Sequence, residues 1–413
     1  MKRKIIGIAI ILLWILSRSV KSYSAGDADL QELAAPSVVY NNAADWYSDG
    51  EVEFAINIFD DEWKELYTQE EMIAACQIPD KLLKKLTTYE LLKLTEEYPL
   101  LGNIYTGNTM EEGFQYIVDS FNGLRELLKR ADCLEIVCEE YNNLIIPEEK
   151  MINYNKYQTE EENVAYFNEI LQDDDMLKLA LEDAEPLIVC DLLEMIMLNK
   201  TTDDNVELLL ETVIDKAPEK EKAECFESAN KSLYISGLED SILSDISAYV
   251  VTETTDSTTT KTIYWRGVAI EVLVDDNLIY NTFDEAMKTI SVYREQGASL
   301  VSVGCRQSNC HSYAWLKEIF PGTSHKYTLN IVPDGLMKEC IKYTTPQKNS
   351  IAYTAQHSAV VIDEIDEKYG TYNPIVIAKW AVGPVVKAPM DVGPMWMKHG
   401  EGVCYYCYRT LTK

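Results

Sequence analysis

Histidine is nearly absent from this chain: of 413 residues only His311, His325, His357 and His399 are His. Imidazole chemistry is therefore confined to the last quarter of the sequence. Basic residues are also short, 37 Lys+Arg against 68 Asp+Glu, for a formal net charge of −31. A phosphate backbone is repelled by such a charge and no basic patch offsets it, which excludes nucleic-acid binding. No Gly-rich, phosphate-cradling loop occurs, so no nucleotide cofactor is expected. With 18 Gly and 13 Pro the composition is neither collagen-like nor that of a wholly disordered chain.

No apolar run reaches the roughly 20 residues a bilayer-spanning helix needs. The longest, Ile5–Leu16, follows the basic start Met1-Lys2-Arg3-Lys4 and ends at Ser17-Arg18. Ser22-Tyr23-Ser24-Ala25 then supplies small residues at the positions a signal peptidase reads. Residues 1–24 are expected to be a signal peptide, and the mature protein to be secreted, extracellular and free of the membrane. Ten cysteines in an exported chain suggest disulfides, yet their scatter makes no dense framework and leaves the pairing open.

Charge divides the chain. Residues 251–413 hold 17 acidic against 16 basic residues, whereas residues 25–250 hold 51 against 16. Residues 25–50 lack periodicity and are expected to form a flexible segment. From 51 to 235 the pattern is helical. Thr68-x-x-Glu71, Thr87-x-x-Glu90, Thr109-x-x-Glu112 and Thr159-x-x-Glu162 each have the form of a capping box. Pro79, Pro99, Pro147, Pro186 and Pro218 suit first helical turns or breaks. An acidic α-helical domain of six to nine antiparallel helices is predicted, its acids forming a solvated surface. Residues 236–261, which take in most of the hydroxyl-rich Thr252–Thr262, are expected to be a linker, with two β-edge segments as the alternative. Beyond it Thr262–Trp265, Val268–Val274, Leu300–Val303, Ala359–Ile362 and Ile375–Trp380 read as strands, and Thr282–Gln296 and Asn309–Phe320 as helices. Residues 262–413 are thus predicted to be an α+β domain with an antiparallel sheet.

Chemistry concentrates at Ser308-Asn309-Cys310-His311-Ser312-Tyr313-Ala314-Trp315 and at Gln356-His357-Ser358-Ala359-Val360-Val361. With Ser308 or Asn309 as cap, Cys310 falls in a first helical turn, where orphan amides and the helix dipole favour a thiolate. His357 opens an apolar strand from which an imidazole can face that turn. Thiol and imidazole so placed are two halves of an activated-cysteine site. His311 points about 100° away from Cys310 on a helix and is expected to line the pocket or serve structure. The amide of Cys310, with Asn309 or Ser308 nearby, is a plausible oxyanion donor set. Cys404-x-x-Cys407 stands alone, without the second pair that would signal zinc, and no metal site is assigned.

Asn309–Trp315 resembles the Asn-Cys-His-Ser-Tyr-Ala-Trp signature of a group of secreted bacterial proteins with papain-like folds, related to the amidase and endopeptidase superfamily that includes CHAP domains. His357–Val361 resembles that group's histidine strand, Lys379-Trp380 its Lys-Trp-Gly element, and Gly383-Pro384 and Pro394 that element's tail, over about residues 262–400. Ala381 stands where the group has Gly, and Lys387-Ala388 where a histidine follows the Gly-Pro. The resemblance implies a papain-like fold, Cys310 as nucleophile and His357 as base, with Lys379 and Trp380 in the catalytic set and Asn309, His311, Ser312 and Trp315 around the substrate. The third triad member stays open among a backbone carbonyl near Lys379 or Trp380, Asp363 and Asn373. If strands 357–363 and 374–380 pair across a turn near 366–371, His357 comes opposite Trp380.

The expected activity is cysteine-dependent hydrolysis of an amide in a peptide or peptidoglycan stem, with no cofactor and with a possible protein partner at the acidic helical domain. The alternative is a non-catalytic secreted binding protein on a degenerate papain-like fold.

Overall fold

The computed structural model describes residues 46–48, 51–146, 151–200, 212, 259–274, 279–321, 323–363, 373–394, 397 and 402–409. The proposed signal peptide, residues 25–45 of the proposed tether and residues 236–258 of the proposed linker lie outside them. The fold is α+β, with helices in the N-terminal part and antiparallel sheets in the C-terminal part.

All four capping-box threonines start helices. Thr68, Thr87, Thr109 and Thr159 accept from the amides of Glu71, Glu90, Glu112 and Glu162, opening Gln69–Ala75, Thr88–Glu96, Met110–Ser120 and Glu160–Gln172. Each hydroxyl satisfies an amide that has no partner within its helix. Two expectations are corrected. Pro186 neither starts nor breaks a helix but lies inside Asp174–Lys200. It costs one ladder hydrogen bond, about 3 kcal/mol, which burial of Ala184, Ile188, Val189, Leu192 and Leu193 around it offsets. Trp46, within the stretch expected to tether, is fully buried, and Tyr47–Ser48 (β1) pairs antiparallel with Glu51–Val52 (β2). Asp173-Asp174-Asp175 also has a structural use: Asp173 Oδ1 caps the long helix by accepting from the amides of Asp175 and Met176, and Asp174 pairs with Arg294 at 2.6 Å.

In the C-terminal part Thr259–Trp265 (β3), Val268–Val274 (β4) and Tyr327–Thr328 (β6) form a three-stranded sheet in the order β3-β4-β6. The proposed linker therefore ends in strand from Thr259. Ser299–Ser302 (β5), Cys340–Tyr343 (β7), Ile351–Tyr353 (β8), Ser358–Val361 (β9), Ile375–Lys379 (β10), Val385–Pro389 (β11) and Cys404–Tyr408 (β12) form a seven-stranded sheet ordered β5-β11-β10-β9-β8-β12-β7. β9 pairs with β10 in the anticipated register, Val361 opposite Val376 and Ala359 opposite Ala378.

Strand alternation divides this sheet's side chains between two cores. Ala352, Ala359, Val361, Val376, Ala378 and Tyr405 join the core of the helical region. Ile351, Tyr353, Val360, Tyr406 and Tyr408 pack instead against Ala314-Trp315-Leu316 and the small sheet. The larger core runs without interruption from Trp46 to Tyr405, so helical and sheet regions share one interior.

Polar bonds stitch the same seam. Trp63 Nε1 donates to Val292 O at 3.1 Å, Thr289 Oγ1 to Gly102 O at 2.9 Å, and Asn103 Nδ2 to Tyr293 Oη at 3.0 Å. Asn168 caps edge strand β5 by bonding both the amide and the carbonyl of Leu300, each at 2.9 Å. At Gly102 the approach is closer than any side chain allows: a Cβ there would lie 2.5 Å from Lys288 O. Gly102→Ala is therefore expected to cost about 1–3 kcal/mol and to lower the denaturant midpoint of the helical and the aromatic near-ultraviolet signals together, in one transition. A helical signal that keeps its midpoint would show the two regions to be independent.

Candidate active site

Cys310 starts a short helical segment rather than the full helix anticipated over 309–320. Tyr313 N donates to Asn309 O at 2.9 Å, and the chain then widens into a π turn over Ser312–Leu316. The widening leaves the Trp315 carbonyl for the Tyr408 hydroxyl, at 2.6 Å. Asn309 holds the entry, its Oδ1 accepting from Ser312 N and Ser312 Oγ and its Nδ2 donating to Leu329 O. Ser312 Oγ in turn accepts from Leu329 N at 2.8 Å. The polar atoms of Asn309 and Ser312, carried over as substrate contacts, thus hold the 309–312 turn to the 329 strand end. Trp315 is fully buried among Tyr353, Tyr406 and Tyr408.

The residue of the histidine strand bonded to the cysteine segment is Ser358. Its hydroxyl accepts from Trp315 Nε1 at 3.1 Å and lies 2.7 Å from His311 Nδ1. Burial lowers the pKa of His311, which favours the neutral ring; with its other nitrogen donating to Ala355 O, Nδ1 of that neutral ring accepts from the Ser358 hydroxyl.

The Cys310 sulfur rests against the backbone of the same turn, 4.0 Å from Gln356 O. Burial pushes its pKa up to about 11, while the amides of Ser358, His311 and Cys310 and the charge of Lys379 pull it down. This corrects the expectation of a depressed thiol. The helical segment is too short for a strong dipole, and at 2% exposure the loss of hydration dominates. His357 is 4% exposed, its pKa driven down to about 3 by burial and by His311. Its Nδ1 has no hydrogen-bond partner, and no hydrogen bond joins its ring to Cys310 among the described residues. None of the candidates for a third triad member reaches that nitrogen. The Trp380 carbonyl takes the Gly383 amide at 2.8 Å, and Asn373 bonds Asp391 at 2.6 Å.

Lys379 and Trp380 part company at the end of β10. Trp380 enters the helical core, edge-on to Tyr293 at 5.4 Å. Lys379 is 1% exposed, its ammonium donating to Gly383 O at 2.8 Å. Burial lowers its pKa to about 7, the thiols of Cys305 and Cys310 raise it, and Arg306 lowers it. The sequence put Lys379 in the catalytic set through its resemblance to the Lys-Trp-Gly element and considered a backbone carbonyl there, without assigning the side chain a role.

The nine described cysteines are thiols. Cys404 and Cys407, three apart on β12, project from opposite faces of the sheet, which separates them as a redox or metal pair. Among the described residues no three His, Cys, Asp or Glu side chains cluster as metal ligands, and no helix is long and apolar enough to cross a membrane. Scans against protein-family models, curated proteins and solved structures find no match to this chain.

Ser358→Ala leaves Trp315 Nε1 and His311 Nδ1 buried without partners. Unfolding stability is expected to fall by about 2–4 kcal/mol; a loss under about 0.5 kcal/mol would refute the role. His357 also gives a pH signature. Its folded pKa lies below the ordinary 6.5, so the unfolded chain protonates first. The stability it supports is complete above pH 6.5 and declines as pH falls toward 3. Glu96, pushed up to about 7 by burial, acts in the opposite sense, so the measurement is the difference between wild type and His357→Gln. From pH 7.5 to pH 5 the urea-derived stability of wild type should drop by about 2 kcal/mol more than that of the variant. Parallel profiles would show that His357 is solvated.

Proposed function

We propose that the protein is a secreted, papain-like cysteine hydrolase in which Cys310 attacks the carbonyl of an amide in a peptide or peptidoglycan stem. The observation that supports this reading is the meeting of the two motifs: the Cys310 sulfur lies 4.0 Å from the carbonyl of Gln356, the residue before His357, and Ser358 bonds His311 and Trp315 of the cysteine segment. His357 takes the proton of the Cys310 thiol as the sulfur adds to the carbonyl carbon, returns it to the amine as the C–N bond breaks, and then takes a proton from the water that hydrolyses the thioester, returning it to the Cys310 sulfur as the acid leaves. Amides that favour a thiolate are also placed for the oxyanion of the tetrahedral intermediate. His357 Nδ1, which has no hydrogen-bond partner, lies one residue from Ser358. The acidic helical region disfavours a highly anionic cell-wall polymer and suits a neutral or basic peptide.

One observation favours a second reading, a non-catalytic binding protein on the same fold: Cys310 is 2% exposed and is not bonded to His357. A single experiment separates the two. Full-length protein is incubated with a peptide library and with peptidoglycan stem peptides, and new amino termini and any mass added to Cys310 are read by mass spectrometry. Cleavage is expected in wild type, reduced about 100–10,000-fold in His357→Ala and abolished in Cys310→Ala. Absence of both cleavage and acylation in wild type, or cleavage that survives Cys310→Ala, overturns the hydrolase.

A further inference from the structure

One turn closes over the Cys310 sulfur. Thr354-Ala355-Gln356-His357 joins β8 to β9, beyond the last ladder pair Tyr353–Ser358. Ala355 and Gln356 are exposed, whereas Cys310 is 2% and His357 4% exposed. The two exposed residues turn their carbonyls inward, onto consecutive side chains of the cysteine segment. Gln356 O lies 4.0 Å from the Cys310 sulfur, and Ala355 O accepts from the His311 ring. The backbone of the turn thus stands between the sulfur and solvent.

Gln356 O is an acceptor, so its contact suits the thiol, which has a proton to donate, and repels a thiolate, which has none. An S–H···O contact of this length is weak. Closure is maintained inside the turn instead. Thr354 N donates to His357 O at 2.9 Å, and Thr354 Oγ1 accepts from His357 N at 3.0 Å and from Gln356 N at 3.3 Å. One hydroxyl therefore satisfies two amides of the turn. The frame around it is held differently, by bonds between elements. Asn309 and Ser312 tie the 309–312 turn to Leu329, and Ser358 bonds both His311 and Trp315. A short, exposed segment whose hydrogen bonds are mostly its own is among the first parts of a folded chain to open. Ser358 sets the limit of that opening, since residues 354–357 can move while β9 keeps its register.

His357 is the last residue of the turn and moves with it. In the closed turn its Nδ1 is sealed from water without a hydrogen-bond partner. We propose that the Thr354–His357 turn is a latch over Cys310. Closed, it covers the sulfur and holds His357 apart from it; open, it admits a substrate carbonyl and frees His357 to reach the thiol. The proposal rests on the reading of Cys310 as nucleophile and His357 as base, and adds the step that brings them together. One movement of four residues then accounts for both the buried sulfur and the unpartnered imidazole.

The test labels the folded, full-length protein at pH 7.5, with iodoacetamide for thiols and diethyl pyrocarbonate for imidazoles, each residue being read by mass spectrometry. Cys76, fully buried in the helical core, reports global unfolding. With rates normalised to the urea-unfolded chain, Cys310 is expected to label at least about tenfold faster than Cys76, and low urea should speed Cys76 alone. Thr354→Val removes the hydroxyl that two amides share. It should speed Cys310 labelling about tenfold, with carbethoxylation of His357 rising by the same factor. Gly102→Ala, which loosens the seam and not the turn, should speed Cys76 and leave Cys310 unchanged. Cys310 labelling no faster than Cys76, a Cys310 rate that follows Gly102→Ala or ignores Thr354→Val, or unequal responses of Cys310 and His357 each overturn the latch. None of these readouts depends on hydrolysis. Local opening without amide cleavage sinks the hydrolase alone, and cleavage without local opening sinks the latch alone.

Discussion

Two backbone-to-backbone contacts govern the arrangement of the molecule. At Gly102 and at Gly383 the main chains of the helical and sheet regions meet where a methyl group would lie 2.5 and 2.6 Å from a carbonyl oxygen. Such approaches demand glycine because Cα, the amide and the carbonyl are all that fits. They also fix position, since main chain cannot yield as a flexible side chain does. Around them Thr289, Asn103 and Trp63 satisfy the polar groups that the seam takes out of water. A single core from Trp46 to Tyr405 follows. The turn that carries Lys379 is held by the helical region as firmly as by its own sheet.

At the site, desolvation competes with oriented dipoles. Cys310, His357 and Lys379 are all at or below 4% exposure, and burial drives each toward its neutral form. A thiol, an imidazole and an amine that are all neutral cost little to bury, which explains how a polar cluster persists in an interior. For Cys310 the amides of Ser358, His311 and Cys310 and the charge of Lys379 oppose that drive without overcoming it. His311, by contrast, is removed from this chemistry because Ser358 and Ala355 occupy both its ring nitrogens.

Much of this was legible in the sequence, where local rules act alone. The Thr-x-x-Glu boxes marked four helix starts because capping is decided within four residues. The register of β9 on β10 followed from one turn and an alternating pattern. Short, aromatic strands such as β12, Cys-Tyr-Tyr-Cys-Tyr, carry no such signal: their side chains divide between two cores, so both parities are buried. Pro186 misled because tertiary burial outweighs a local helix rule. The depressed thiol misled because its environment depends on residues 48 and 69 positions away, Ser358 and Lys379. The shared core was invisible for the same reason: nothing in a pattern of helices followed by strands says that Gly102 will meet Lys288.

The charge asymmetry acquires a structural meaning at that seam. Residues 25–250 hold 51 acidic residues against 16 basic ones, while residues 251–413 are almost balanced. Three cations of the balanced part point into the acidic part. Arg294 bonds Asp174 at 2.6 Å, Arg306 feels Asp191, and Lys288, its pKa lowered by burial, is supported by Glu185 and Glu97. The acidic surface is thus more than a solubilising coat, since Asp174, Asp191, Glu185 and Glu97 offset cations that are buried or half-buried at the seam. Arg306 links this pairing to the turn that follows Lys379. It lowers Lys379 while its guanidinium holds Asn281, and Asn281 holds the Val382 carbonyl of the lysine's turn. Neutralising Arg306 by Glu285 and Asp191 weakens its repulsion of the Lys379 ammonium. Asp191 of the helical region thus bears, through Arg306, on the buried Lys379 of the sheet region.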